Sequence, residues 1–222
     1  MRTGLQGILP SPAGGGKRLF NIVFASKNEG KIREVKAILD GADINLLSLH
    51  NYPHIPEITE DGHTFFENAL KKAQTVSGLT GEAAFADDSG LAVDALAGAP
   101  GVYSARYSGP GATDTGNVAK LLHDLKDVPA GKRSASFICV LVLWYPGGNY
   151  FTFEGRWRGE ITSEPAGNNG FGYDPVFFVP ERGLTSAQLP PEVKNRISHR
   201  AQALTMLKDA LAKGQEHAGR KS

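Results

Sequence analysis

Strand and helix patterns alternate along the first part of the chain, and this alternation constrains the fold most strongly. A continuous apolar run over 19–25 predicts a first buried strand, and apolar side chains then recur at helical spacing over 32–39. Residues 44–49 predict a second strand. Thr64 has the capping-box spacing that opens another helix. These elements predict a βαβα unit.

The second part of the chain predicts antiparallel pairing. Strand patterns over 134–145 and 150–157 flank Pro-Gly-Gly-Asn at 146–149, a typical hairpin signal. An amphipathic helix over 118–125 precedes this hairpin, and a last helix begins near Ser198. The whole order predicts an α/β fold in which a mixed sheet is flanked by helices.

Composition limits the class of protein. The chain has 222 residues, enough for one large domain or two small lobes, and its 41% hydrophobic content is typical of a soluble globular protein. Lys plus Arg number 24 against 23 Asp plus Glu, so the net charge gives no basic field for nucleic acid. We therefore expect no nucleic-acid partner.

The single cysteine and the chain ends add further expectations. Cys139 lies in the apolar run 137–143, which excludes an intrachain disulfide and a Cys-rich zinc site and fits a reducing cytoplasm. That run is too short to span a bilayer, so we expect no membrane partner. Residues 1–17 are typical of a flexible leader, 18–213 of the folded domain, and 214–222 of a polar tail.

Two adjacent carboxylates, Asp87 and Asp88, follow an apolar stretch over 83–85 and precede Ser89 and Gly90. If that stretch is a short buried strand, the acids lie at its end, where open α/β sheets bind their ligands. Paired carboxylates suit a hard cation such as Mg²⁺, which usually also binds phosphate. The alternative is a solvated Asp-Asp-Ser-Gly turn, which the same residue types favour.

A candidate phosphate loop joins the first strand to the first helix, over Ser26, Lys27, Asn28, Glu29, Gly30 and Lys31. Helix-start N–H groups attract phosphate, although the segment is not a Walker A loop and could be a surface turn with solvated lysines. Lys72 could face phosphate or solvent. Glu57, Glu60 and Asp61 precede the capped helix, and one of them could complete a cation site with Asp88.

Two further segments are candidates for binding a base and sugar. Phe171, Gly172, Tyr173 and Asp174 combine a glycine with aromatic rings, so that a flat ligand could stack there and donate an N–H to Asp174. The alternative is an aromatic-plugged turn. The segment 198–200, Ser-His-Arg, could bind oxygens at a helix start, or Ser198 could be an N-cap with two exposed neighbours. A Ser-His-Asp hydrolase has little support because no G-x-S-x-G elbow occurs.

Taken in order, these motifs closely resemble the inosine triphosphate pyrophosphatase family, the non-canonical purine NTP pyrophosphatases, and its bacterial dITP/XTP branch in particular. The resemblance covers roughly residues 19–213. It is carried by Ser26-Lys27-Asn28-x-x-Lys31; Phe66-Glu67-Asn68-Ala69-x-x-Lys72-Ala73; Ala86-Asp87-Asp88-Ser89-Gly90-Leu91; Gly98-x-Pro100-Gly101-x-Tyr103-Ser104-Ala105-Arg106-Tyr107; Phe171-Gly172-Tyr173-Asp174-Pro175; and Ser198-His199-Arg200.

The resemblance implies an elongated mixed sheet with two lobes, an active-site cleft between them, and a cytoplasmic homodimer. It implies hydrolysis of dITP, ITP and XTP to the monophosphate and pyrophosphate with Mg²⁺. It further implies that Asp88 binds the metal and acts as the base, that Glu60 is the second metal ligand (with Glu57 or Asp61 as alternatives), and that Ser89 contacts the substrate. The triphosphate would be held by 26–31 and Lys72, and the base and sugar by 171–174, Lys194, His199 and Arg200.

Other activities remain open at this point. A related pyrophosphatase acting on modified pyrimidine triphosphates would have a similar fold. A non-catalytic nucleotide-binding module is a third possibility, although a chain that has both Asp88 and Lys31 favours an enzyme.

Overall fold

The computed structural model describes residues 20–219, so the leader assigned to 1–17 lies outside the described residues. Within that range the strands form one seven-stranded sheet in the order β2-β1-β3-β4-β5-β6-β7. The strands are β1 (Phe20–Phe24), β2 (Ile44–Ser48), β3 (Ala83–Val93), β4 (Ser134–Trp144), β5 (Tyr150–Ile161), β6 (Phe177–Val179) and β7 (Leu184–Thr185).

Five α-helices accompany this sheet in the described range. They are α1 (Glu29–Leu39), α2 (Phe65–Thr80), α3 (Asp114–Asp124), α4 (Pro191–Ile197) and α5 (His199–Gly219). Strand β1 runs parallel to both β2 and β3, whereas β6 pairs antiparallel with β5 and β7. The predicted α/β fold with a mixed sheet and flanking helices is therefore confirmed.

Residue contacts divide the chain into two compact units. Within the described residues, the first comprises 20–87, 140–153 and 203–219, and the second comprises 88–139 and 154–202. In the first unit, the alanine-rich face of α2 packs on β1 and β3, around Val23, Ala73 and Ala84. Small side chains on that face allow the helix to lie close to the sheet.

The second unit has its own core. Leu91 of β3, Leu121 of α3 and Phe137 of β4 belong to one buried cluster with Trp157 and Phe177. The ring centroids of Phe137 and Phe177 lie 4.5 Å apart, within the range of a favourable aromatic pair. This core joins α3 and β4 to β3, the strand that also carries Asp88.

Several local predictions are confirmed. Thr64 caps α2 by accepting the N–H of Glu67 at 3.1 Å, although the Glu67 carboxylate accepts from His63 N–H instead of Thr64. The turn at 146–149 closes the predicted hairpin, where Tyr145 N–H donates to the Asn149 carbonyl at 2.9 Å. Helix α5 begins at His199 and continues beyond 214, where the sequence pattern placed the beginning of the polar tail.

One prediction of local structure is wrong. Asp87 and Asp88 do not lie in a turn at the end of a short strand, because β3 runs unbroken from Ala83 to Val93 through both acids. Both are buried, which also contradicts the alternative of a solvated Asp-Asp-Ser-Gly turn. None of the helices in the described chain combines the length and apolar character needed to cross a membrane.

Candidate functional site

The candidate phosphate loop between β1 and α1 is fixed by its own side chains. Ser26 Oγ accepts from Asn28 N–H at 3.1 Å, and Asn28 Oδ1 accepts from Lys31 N–H at 3.0 Å as the N-cap of α1. Lys27 Nζ lies 3.4 Å from the Ile55 carbonyl oxygen. Glu29 and Gly30 form the first turn of the helix, whose N–H groups have no intrahelical partners. The loop therefore joins a helix N-terminus to two lysines, an arrangement that favours anions.

Next to this loop, the first unit contains a set of side chains that alternate in charge. We call Lys31, Asp87, Lys72 and Glu60 the charged row. Lys31 Nζ lies 3.1 Å from Asp87 Oδ2, and Lys72 Nζ donates to the Asp87 carbonyl oxygen at 2.8 Å and to the Glu60 carboxylate. Because Lys72 is only 8% exposed, its ammonium depends on these partners for stability.

The structure distinguishes the three loop acids that the sequence left open. Glu60 bonds to Lys72 within the charged row, whereas Asp61 pairs with Lys71 at 2.6 Å on the surface and Glu57 is exposed. The hydrogen bond from Lys71 lowers the pKa of the Asp61 carboxyl. Glu60 is thus the loop acid whose partner, Lys72, also donates to the Asp87 carbonyl oxygen of β3.

The loop that carries Glu60 is anchored to α2. Gly62 N–H donates to Asn68 Oδ1 at 2.8 Å, and Asn68 is fully buried. A Cβ at Gly62 would lie 2.7 Å from that same oxygen, so a larger residue would push the loop away from the helix. Glycine at this position therefore helps to fix Glu60 against Lys72.

Asp88 lies in β3 at the first residue of the second unit and is 6% exposed. Its Oδ1 accepts from Ser89 N–H at 2.9 Å. No group of three or more His, Cys, Asp or Glu side chains within 20–219 is arranged to hold a metal ion. The metal ligands predicted from the sequence were only two, Asp88 and Glu60, and this assignment stays a prediction.

The second unit gathers the residues predicted to bind a base and sugar. Lys194 Nζ and Arg200 Cζ lie 5.0 and 5.6 Å from the centroid of the Phe171 ring, within cation–π range. His199 is buried and stacks on Phe137 at 4.8 Å. Ser198 caps α5 by accepting from Ala201 N–H at 3.2 Å, but its two neighbours are buried and not exposed as the N-cap interpretation predicted.

Asp174 is the centre of this second group and is 2% exposed. Its Oδ1 accepts from Ser186 Oγ at 2.7 Å, and its Oδ2 accepts from Lys194 Nζ at 2.6 Å and from Phe171 N–H at 2.8 Å. The carboxylate thus organises the group through protein donors, and its predicted bond to a base N–H stays a prediction. Burial raises the pKa of Tyr173, whose hydroxyl donates to the Ser104 carbonyl at 2.8 Å.

The structure therefore brings the predicted residues together in two groups. The first unit contains the phosphate loop, Lys72 and Glu60, and the second contains Asp88, Ser89 and the group around Asp174. That the two groups line one cleft stays a prediction. Two further residues contact this second group but were not predicted: Ser186 donates to Asp174, and Asp114 Oδ2 accepts from Gly172 N–H at 2.7 Å. Each lies directly after a threonine that opens a helical turn, Thr185 and Thr113, and this capping pattern is the signal that could have found them.

Comparisons with known proteins identify similar sequences. A dITP/XTP pyrophosphatase of Geobacter sulfurreducens is 56% identical over 190 residues, which cover 86% of this chain and 96% of that relative. One of Salmonella typhimurium is 50% identical over 195 residues, covering 87% and 98%. These names confirm the resemblance inferred from the motifs.

Solved structures match as well. A HAM1 protein from Coxiella burnetii superimposes with a TM-score of 0.81 at 44% identity, over 88% of this chain and 100% of that one. The nucleoside-triphosphatase or dITP/XTP pyrophosphatase of Mycobacterium abscessus gives a TM-score of 0.70 at 45% identity, over 85% and 98%. The model of the Ham1 family matches residues 22–210. This chain belongs to the Ham1 family.

Proposed function

We propose that this protein hydrolyses the non-canonical purine nucleoside triphosphates dITP, ITP and XTP to the monophosphate and pyrophosphate. The observation that carries the proposal is the 56% identity with a dITP/XTP pyrophosphatase over nearly the whole of both chains. The reaction would remove deaminated purines from the nucleotide pool, and we propose the cytoplasm as its compartment, in agreement with the single buried cysteine, Cys139.

The triphosphate is bound by the phosphate loop and the lysines of the charged row. First-turn N–H groups of α1 and the ammonium groups of Lys31 and Lys72 offer hydrogen bonds and positive charge to phosphate oxygens. Each lysine already contacts a carboxylate or carbonyl oxygen, so both ammonium groups are held in place before the substrate arrives. Such preorganisation reduces the entropy lost on binding.

The donor set of Asp88 and Glu60 fits Mg²⁺, which prefers oxygen ligands and is commonly held by one or two carboxylates together with substrate phosphates. When bound, the ion would neutralise phosphate charge and polarise the attacking water. Asp88 accepts the proton of that water as it attacks the α-phosphorus. Lys31 and Lys72 stabilise the negative charge that collects on the departing pyrophosphate.

Selectivity for deaminated purines follows from the donors around Phe171. The purine ring stacks on Phe171, and its 6-oxo group accepts hydrogen bonds from a pocket that includes Lys194 and Arg200. The 6-amino group of adenine would instead place donors against donors. A buried polar group left unpaired costs about 1–3 kcal/mol, so more than one mismatch gives strong rejection.

A substrate panel tests the proposal. The protein is incubated with Mg²⁺ and dITP, XTP, dATP, dGTP or a methylated pyrimidine triphosphate, and the products are separated. We expect pyrophosphate release with preference for dITP and XTP. Release of orthophosphate, a preference for the pyrimidine, or tight dITP binding without turnover would each contradict the proposal, the last in favour of a non-catalytic nucleotide-binding module.

The proposal extends to a homodimer, as the family resemblance implies. Sedimentation equilibrium of the purified chain should give twice the monomer mass of 23.7 kDa. A monomer at micromolar concentration, in a preparation that hydrolyses dITP, would contradict this part of the proposal alone.

A further inference from the structure

The loop 170–174 has a backbone that needs support. Gly170 and Gly172 both have positive φ values, 79° and 61°. A Cβ at Gly170 would lie 2.0 Å from Asp174 Oδ2, so the carboxylate packs directly against this glycine. Glycine adopts such conformations readily but is also conformationally free. The position of the Phe171 ring therefore depends on the contacts that hold the loop.

Two carboxylates accept the consecutive N–H groups of this loop. Phe171 N–H donates to Asp174 Oδ2 at 2.8 Å, and Gly172 N–H donates to Asp114 Oδ2 at 2.7 Å. Asp174 belongs to the loop itself, whereas Asp114 is the first residue of α3. The Asp114 bond thus ties the backbone of the loop to another element of the second unit, as the Tyr173 hydroxyl does through Ser104.

The start of α3 is well placed to serve as an anchor. Thr113 Oγ1 caps the helix by accepting from Gly116 N–H at 3.1 Å. Buried Asn117 accepts from the backbone N–H and hydroxyl of Ser108, at 2.8 and 2.9 Å, and donates to the Ala105 carbonyl at 3.2 Å. A carboxylate in the first turn is further favoured by the helix dipole. Asp114 therefore projects from a helix end that is fixed on several sides.

We propose that Asp114 is a positioning residue for base recognition, holding Gly172 N–H so that the Phe171 ring stays where a purine can stack on it. This role rests on the proposed function, because it assumes that Phe171 binds the base. The proposed mechanism assigns Asp114 no contact with the reacting phosphate or the attacking water. Removing the Asp114 carboxylate should therefore weaken binding of the base and reduce discrimination between bases, while the chemical step stays intact.

Three variants separate positioning from a general effect on α3. Asp114→Ala removes the acceptor, Asp114→Asn retains an amide oxygen that can accept the same N–H, and Thr113→Ala removes the N-cap bond but leaves the Asp114 carboxylate. We expect Asp114→Ala to raise KM for dITP about three- to tenfold with kcat within about twofold, and to reduce discrimination against dATP by a similar factor. Asp114→Asn should stay near the wild type, and Thr113→Ala should lower Tm without raising KM.

A second measurement does not depend on activity. Amide hydrogen exchange of the peptide containing 170–174 is followed without nucleotide or metal, and we expect faster exchange in Asp114→Ala but not in Thr113→Ala. Unchanged KM in Asp114→Ala, or an equal rise in both Ala variants, would overturn the proposal. If the wild type hydrolyses no non-canonical purine, the proposed function fails on that control. Hydrogen exchange then tests the positioning role separately. Faster exchange only in Asp114→Ala would support the role of Asp114 in holding the loop, and equal exchange in both Ala variants would overturn it.

Discussion

The charged row places two lysines among acids of the first unit, and this arrangement has a consequence for binding. Lys72 is buried and Lys31 is largely so, and an ammonium in such a place is stable only with partners. Their partners are Glu60 and Asp87. If the charged row binds a triphosphate as proposed, the phosphate charge meets lysines that are already ordered, so little side-chain entropy is lost on binding.

Asp88→Asn should lower kcat for dITP by at least about a hundredfold, because a positioned general base contributes roughly 10²–10⁴ to the rate. The amide matches the carboxylate in size, so the far-UV spectrum and Tm should change little. Pyrophosphate release is the measurement. Asp94→Asn is the matched control, since Asp94 is an acid exposed just beyond the same strand, and it should retain full turnover. Turnover of Asp88→Asn close to the wild type would remove Asp88 from the mechanism.

The buried pair of Asp174 and Lys194 should matter for stability. Asp174→Asn leaves the Lys194 ammonium without its carboxylate in a site where both side chains are less than a tenth exposed. We expect the free energy of unfolding to fall by about 3 kcal/mol, measured by urea denaturation. Lys120→Ala breaks the more exposed i,i+4 pair with Asp124 and should cost less than about 1 kcal/mol. Equal losses in the two variants would contradict the importance of burial.

At the scale of elements, β3 shows where local reasoning fails. Asp, Ser and Gly favour turns, so the sequence indicated that the chain leaves the sheet at 87–90. The structure keeps these residues in the strand, where Lys31 balances Asp87 and the Ser104 hydroxyl accepts Leu91 N–H at 2.9 Å. Tertiary partners overrode local preference, as is common for strands. The short strands β6 and β7 offered too few residues for a periodic pattern.

Helices were predicted better because their signals are local. Thr64 and the apolar spacing after it predicted α2, and the hydroxyl does cap the helix. Helix α4 was not predicted, although Pro191 at its first position is a typical helix start. With only seven residues it shows barely two turns of pattern. The length of an element, more than the residue types at its ends, decided whether the sequence predicted it.

The hydrogen bond that attaches Tyr107 to the C-terminal end of α3 can be tested through the pH dependence of stability. Tyr107 donates to Asp124 Oδ2 at 2.6 Å, and burial, with this hydrogen bond, raises the pKa of Tyr107 to about 12. The bond from Tyr107 also lowers the pKa of Asp124. Tyr107→Phe should therefore lower the free energy of unfolding by about 1 kcal/mol at pH 7.

The pH dependence of that loss has a definite sign. A folded pKa above the unfolded value means that the stabilisation is complete below about pH 10 and is lost as the pH rises through about 12. Urea midpoints of the wild type and Tyr107→Phe should thus converge between pH 7 and pH 11. Tyr103→Phe, at an exposed tyrosine, should differ little from the wild type at either pH. A gap that widens with pH would contradict this account.

For the whole molecule, the sequence predicted the α/β class and most residues of the two groups of site residues. It did not predict which residues contact each other. Gly172 and Asp114 are 58 positions apart, and no spacing rule connects residues at that separation. The same holds for Lys31 and Asp87, which belong to different elements of the first unit. Motifs reveal residue types near element ends, whereas partners depend on how the elements pack.

Charge balance across the molecule predicts how folding depends on metal. Glu60 and Asp87 have lysine partners, and Asp174 has Lys194, so these acids need no cation to offset their repulsion. Without nucleotide, Tm in EDTA should therefore lie within about 2 °C of Tm in Mg²⁺, whereas dITP hydrolysis should stop in EDTA and return when Mg²⁺ is added in excess. A fall in Tm of more than about 5 °C in EDTA would mean that a resident ion stabilises the fold, since about 1 kcal/mol moves the Tm of a chain this long by 2–4 °C.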